Sequence, residues 1–193
     1  KAHCDTEGYR YDVMDLCRQL LSNYAQKLYG EVSESFYKKD IDQFDRKTKE
    51  FIELLYEVDR MLALRPEWTL QKWIADARSF GKNQEEKDLY EYNARMQVTI
   101  WGNEENSLLF DYAWKEWSGL IGSYHAVRWQ KFFDMLKEKL ATGEEYDEES
   151  LPVFENRIIW HASDFYTRLA ELEAEWTHDT APIPLPDVDP SYA

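Results

Sequence analysis

Long stretches of this chain repeat apolar residues at spacings of three and four, and few breakers interrupt them. Tyr11 to Tyr37 carries Val13, Leu16, Cys17, Leu20, Tyr24, Leu28 and Phe36. Asp40 to Leu64 repeats the pattern with Ile41, Phe44, Phe51, Leu55, Val58 and Leu62. A helix turning 3.6 residues per cycle places each set on one stripe, whereas a strand would need alternation at two. With only 7 Gly and 6 Pro in 193 residues, the turns needed by a many-stranded sandwich or barrel are missing.

The later segments read the same way. Asp12 suits the N-cap of the first helix. Pro66 stops the second and opens a third bearing Leu70, Trp73, Ile74 and Ala77, with Gly81 at the left-handed position that ends it. Asn83 with Glu86 is a capping box in which Asn replaces Ser or Thr. From Asp111, residues Tyr112, Trp114, Trp117, Leu120 and Ile121 continue a helical pattern. Val127 to Leu140 forms another, closed by Gly143, and Pro152 starts a last long helix running to Trp176. The expected fold class is all-α, a bundle of about six to seven mostly antiparallel helices. It spans residues 1–176 and is followed by a Pro-rich extended tail, 177–193 (THDTAPIPLPDVDPSYA).

Charge excludes several partners. The formal net charge is −15, so the backbones of nucleic acids and anionic membrane surfaces would be repelled. No apolar run approaches the roughly 20 residues that span a bilayer. The chain opens KAHCDTEG without an initiating Met and reads as a processed product or excised fragment. Its two cysteines, Cys4 and Cys17, make no disulfide framework, and Cys17 on the apolar stripe reads as a buried thiol.

Chemistry-bearing motifs are scarce. The four histidines, His3, His125, His161 and His178, form no i, i+4 pair, and no HExxH, CxxC, Gly-rich phosphate loop or GxSxG elbow occurs. We therefore expect no metal and no cofactor. With 38 Asp plus Glu, local spacing singles out no pair facing one scissile bond. The aromatics are more informative. Trp73, Trp117, Phe132 and Phe133 lie on apolar stripes and read as core. Trp101 differs. On a wheel of about 100° per residue, with Leu89 at zero, Met96 and Ile100 fall within about 20° while Trp101 lies at about 120°, beside Tyr90 and Gln97. On that wheel Leu89, Met96 and Ile100 anchor the helix and Gly102 ends it. Trp101 is left either as a core plug or as a flat surface at the mouth of a site.

Four strings then carry a resemblance: YRYDVMDLCRQ (Tyr9–Gln19), RPEWTLQKWIADAR (Arg65–Arg78), YEYNARMQVTIWG (Tyr90–Gly102) and DYAWKEWSGLIGSYHAVRW (Asp111–Trp129). In this order they resemble the C-terminal all-helical domain of α-N-acetylglucosaminidase, glycoside hydrolase family 89, over roughly Tyr9 to Trp176. The resemblance implies a domain that packs on a (β/α)8 catalytic barrel. Such enzymes remove terminal α-linked N-acetylglucosamine from glycans with retention. The catalytic carboxylates sit in the barrel, so none is expected in this chain, and the chain alone is expected to be inactive. By the same resemblance, Trp101, Tyr112 and Leu109 line one side of the sugar pocket. A bacterial member would be secreted, periplasmic or at the cell surface, and an animal one lysosomal. Two other classes fit the residues without the resemblance: a free-standing helical protein-interaction module and a helical carbohydrate-binding module.

Overall fold

A computed structural model describes residues 6–101, 112–146, 153–154, 157–158 and 164–187. Among them are six α-helices: α1 (Glu7–Tyr37), α2 (Ile41–Leu62), α3 (Leu70–Ser79), α4 (Gln84–Gln97), α5 (Ala126–Thr142) and α6 (Asp164–His178). A 3₁₀ turn, Pro66–Trp68, precedes α3, and a π-helical turn, Ile121–His125, leads into α5. The class is all-α, as the periodicity indicates.

Helix α1 starts earlier than the stripe predicts, because Thr6 rather than Asp12 is its N-cap. The Tyr9 amide donates to the Thr6 hydroxyl at 3.3 Å. At its other end Lys39 adopts φ 57°, its N–H reaches the Phe36 carbonyl, and Asp40 N–H reaches the Ser35 carbonyl. This is a Schellman closure with lysine where glycine is usual. Asp40 also caps α2, accepting from the Gln43 amide at 3.0 Å. One residue thus ends one helix and begins the next, which folds α1 and α2 back to back.

The pairing is antiparallel along its length. Leu28 and Val32 share a buried cluster with Phe44, Phe51, Phe133 and Leu136. Met14 and Leu21 pack on the cluster of Val58, Leu62 and Ile121. Helix α5 lies against α2 in the opposite sense. Phe133 meets Phe44, Trp129 meets Phe51, and Lys137 bonds Asp45. Burying one such aliphatic or aromatic side chain contributes about 1.5–3 kcal/mol, so these two clusters hold the bundle. Phe133 is core, as expected. Trp73, Trp117 and Phe132 are partly buried at its edges, and Cys17 is a half-buried free thiol.

Two predicted helices begin later than the periodicity suggests. The segment from Tyr112 to Ser118 is not helical, because its backbone is engaged elsewhere. Ser118 bridges Thr69 in parallel, donating to the Trp68 carbonyl and accepting from Leu70 N–H at 2.9 Å. Gly119, at φ 85°, then turns the chain into the helix that becomes α5. The run after Pro152 forms a minimal antiparallel hairpin, β1 (Val153–Phe154) with β2 (Arg157–Ile158), and α6 begins only at Asp164. Short apolar runs rich in Val, Ile and Phe match either period, so spacing alone could not separate strand from helix here. Gly81 also departs from expectation. It is not at positive φ. An added Cβ would lie 2.6 Å from the Lys87 nitrogen, so close approach of α4 is what requires glycine. Gly143, at φ 78°, does close α5.

Beyond α6, residues 179–187 take no regular secondary structure, and Ile183 rests on the core. Gln71 donates to the Ile183 carbonyl at 2.9 Å, and Ile183 packs against the Leu70, Val98, Leu120 and Tyr124 cluster.

Candidate functional site

The site is built at the C-terminal end of α4, whose orientation reverses the wheel drawn from the sequence. Leu89 is 54% exposed, whereas Glu91, Ala94, Arg95 and Val98 are buried. The helix turns a charged pair inward. Arg95 donates to Glu91 from Nε and Nη2 at 2.9 and 2.7 Å, and to the carbonyls of Trp176 and Ala181 at 3.2 Å each. Its guanidinium lies 4.9 Å from the centre of the Trp176 ring. Arg78 closes the far side of Glu91 at 2.5 Å. A buried charge is tolerated only when paired and hydrogen-bonded, and here both partners are. Helix α4 therefore docks by charge. Leu89 is left outside because apolarity alone does not choose the inward face.

Helix α4 ends at Gln97, and Val98, Thr99 and Ile100 follow as a buried turn. The chain is then redirected by Trp101 itself, before Gly102 is reached. Trp101 stands at φ 49°, with its N–H bonded to the Met96 carbonyl at 2.8 Å. For a bulky side chain this left-handed conformation is an outlier and costs about 1–2 kcal/mol. Strain of this kind clusters at binding and catalytic sites. Trp101 itself is half-buried.

Its neighbour is Tyr112. The two ring centres are 5.3 Å apart at 47°, and Tyr112 is 69% exposed. Trp114, 53% exposed, lies two residues on. Leu109 lies outside the described residues. Of the three residues expected at the pocket, Trp101 and Tyr112 are thus brought together from elements eleven residues apart in sequence.

The segment carrying Tyr112 is anchored by residues that sequence reasoning missed. Glu116 accepts from Arg18 and, at 2.8 Å, from the Ser22 hydroxyl, tying the segment to α1. Asp59, buried in α2, accepts from the amides of Gly119 and Gly122 at 2.7 and 2.9 Å. It thereby caps the start of the π turn and α5 from another helix. Burial raises the Asp59 carboxyl above its ordinary value, and the two backbone bonds oppose the rise. The signal for Asp59 was available: an Asp on an otherwise apolar stripe, beside Val58 and Leu62, must find donors.

A half-buried indole and an exposed phenol at an angle can lie against the C–H face of a sugar ring while the Tyr112 hydroxyl offers a polar edge. Among the described residues, no group of three or more His, Cys, Asp or Glu is placed to hold a metal ion. No helix there is long and apolar enough to cross a membrane.

Comparison with known proteins identifies the family and the fold. The family described as alpha-N-acetylglucosaminidase (NAGLU) C-terminal domain matches residues 1–190. Human alpha-N-acetylglucosaminidase is 34% identical over 137 residues, covering 70% of this chain and 18% of that protein. Two solved structures of a family 89 glycoside hydrolase from Clostridium perfringens share the fold. The complex with 2-acetamido-1,2-dideoxynojirimycin has a TM-score of 0.72 at 30% identity, covering 92% of this chain and 19% of that one. A double glutamate-to-glutamine variant in complex with its substrate, GlcNAc-α-1,4-galactose, has a TM-score of 0.76 at 28% identity, with 95% and 20% covered. The chain thus spans about a fifth of the length of its relatives. It belongs to the family of C-terminal helical domains of family 89 α-N-acetylglucosaminidases.

Proposed function

We propose that this chain is the accessory helical domain of an exo-acting α-N-acetylglucosaminidase, and that Trp101 and Tyr112 form one wall of its sugar pocket, with Leu109 beside them. The remainder of the enzyme, a (β/α)8 barrel, supplies the chemistry. Two carboxylates act there on a terminal α-linked N-acetylglucosamine, one as nucleophile and one as acid and then base, with net retention. The helical domain contributes shape. Its aromatic wall fixes the ring of the sugar and excludes water from one side, which favours the geometry of attack. The enzyme works on glycans outside the cytoplasm, exported in a bacterium or lysosomal in an animal.

The observation that carries this reading is the Trp101–Tyr112 pair, with Trp101 held in a strained left-handed conformation at the end of a charge-anchored helix. In the full-length enzyme, Trp101→Ala is expected to lower kcat/KM on an aryl α-N-acetylglucosaminide by about 10–100-fold, because oriented contact close to the reacting centre is lost. Unchanged kcat/KM in a correctly folded variant overturns the pocket role. The 193-residue chain by itself is expected to be inactive on the same substrate.

A further inference from the structure

Helix α1 carries a second apolar ridge that its bundle does not cover. Tyr9, Val13, Leu16, Leu20 and Tyr24 follow one another at spacings of three and four and so lie along one line of the helix. All five are exposed, Leu16 by 64% and Leu20 by 66%. The core-facing line of the same helix runs through Met14, Leu21, Leu28 and Val32. That line is rotated from the ridge by about 100°. Among the described residues the ridge is therefore not the bundle's own contact stripe, apart from Tyr24, whose hydroxyl donates to Glu50 of α2 at 2.8 Å. It extends roughly 22 Å at 1.5 Å per residue. It stops sharply, for the same line continues with Lys27 and Glu31, which pair with each other, Glu31 pairing also with Lys47 of α2. Single exposed leucines are ordinary, but a contiguous apolar line of this length marks a surface meant to be covered.

We infer that this ridge of α1 is the docking surface for the part of the same polypeptide that precedes residue 1 in the full-length enzyme. The inference rests on the chain being one domain of a longer family 89 protein, and not on the sugar-pocket role of Trp101. Three observations favour this occupant. The matched family is a C-terminal domain, and relatives are about five times longer than the matched part. In such a protein the preceding chain reaches this domain at the start of α1, where the ridge begins. A second copy of the chain is disfavoured by its net charge of −15, with Asp12 and Asp15 close to the ridge.

The test uses single cysteines in full-length enzyme whose Cys4 and Cys17 are replaced by serine, probed with a maleimide. Gln19→Cys, on the polar outer face, gives the rate of an open site. Leu16→Cys and Leu20→Cys are expected to react at least about tenfold more slowly, through local opening only. In the 193-residue chain the same two positions are expected to match Gln19→Cys, while Val32→Cys, buried within the bundle, stays protected. Equal reactivity of Leu20→Cys and Gln19→Cys in the full-length enzyme overturns the inference. So does protection already present in the 193-residue chain, which would assign the cover to this chain's own residues. Protection that fades on dilution would assign it to a second copy.

Discussion

Arg95 and Glu91 form an ion pair almost wholly removed from water, 2.7 Å apart with 1% and 5% of their side chains exposed. One turn of α4 separates them, and both point into the interior. The guanidinium also holds the carbonyls of Trp176 and Ala181, so one side chain joins α4, the end of α6 and the segment after it. This contact anchors the helix that ends at Gln97, four residues before Trp101.

Removing Glu91 should leave the Arg95 charge buried without its carboxylate, and removing Arg95 leaves Glu91 with Arg78 as its remaining cation. Arg95→Ala is expected to cost about 3–5 kcal/mol in denaturant unfolding, with Glu91→Ala in the same range. The double replacement Glu91→Leu with Arg95→Met should recover much of that loss, since a packed apolar pair avoids the desolvation of two charges. Additive losses in the double variant would show that the carbonyl bonds to Trp176 and Ala181, rather than the ion pair, carry the energy.

Asp59 and Gly122 form a second dependent pair. A Cβ on Gly122 would sit 2.9 Å from Asp59 Oδ2 and 3.1 Å from its Cγ. Gly122→Ala should destabilise by about 1–3 kcal/mol through overpacking. Combined with Asp59→Ala, its added cost should fall by more than half, because the clash partner is gone. A double-mutant cycle on unfolding free energies reads this directly, and a coupling energy near zero would mean that Gly122 is needed for some other reason.

The same carboxylate gives a signed pH dependence. Burial raises the Asp59 pKa in the folded state, so the folded chain binds the proton more readily than the unfolded one. Between the ordinary Asp value of about 3.9 and the raised folded value, stability falls as pH rises, and the cost is fully present above that window. Asp59→Asn has no such dependence. The difference in Tm, Asp59→Asn minus the parent, should therefore be more positive at pH 7 than at pH 4. A constant difference across that range would contradict the assignment.

Trp101 offers a test of strain separate from its ring. Trp101→Ala and Trp101→Gly both remove the indole, but only glycine adopts φ 49° freely. The glycine variant should be the more stable of the two by about 1 kcal/mol. Equal unfolding midpoints would mean that the left-handed turn is not maintained once the ring is lost.

The sequence alone determined the helical class and most helix lengths. Apolar spacing is a local property, and at α1, α2 and α5 the local pattern and the packing agree. The cap written in the adjacent Asn83–Glu86 pair was legible for the same reason. Asn83 Oδ1 accepts from Glu86 N–H, while the Glu86 carboxylate reaches back to Lys82 N–H. Resemblance in the motif strings pointed to Trp101 and Tyr112. Only the tertiary structure decided which face of α4 turns inward, since Arg95 and Glu91 become acceptable core residues once Arg78 and two distant carbonyls surround them. It also decided that the stretch from Tyr112 to Ser118 would not be helical, because Trp68, Leu70 and Asp59 satisfy the backbone groups of Ser118 and Gly119 from elsewhere in the chain. Long-range hydrogen bonds of this kind leave no periodic trace in sequence.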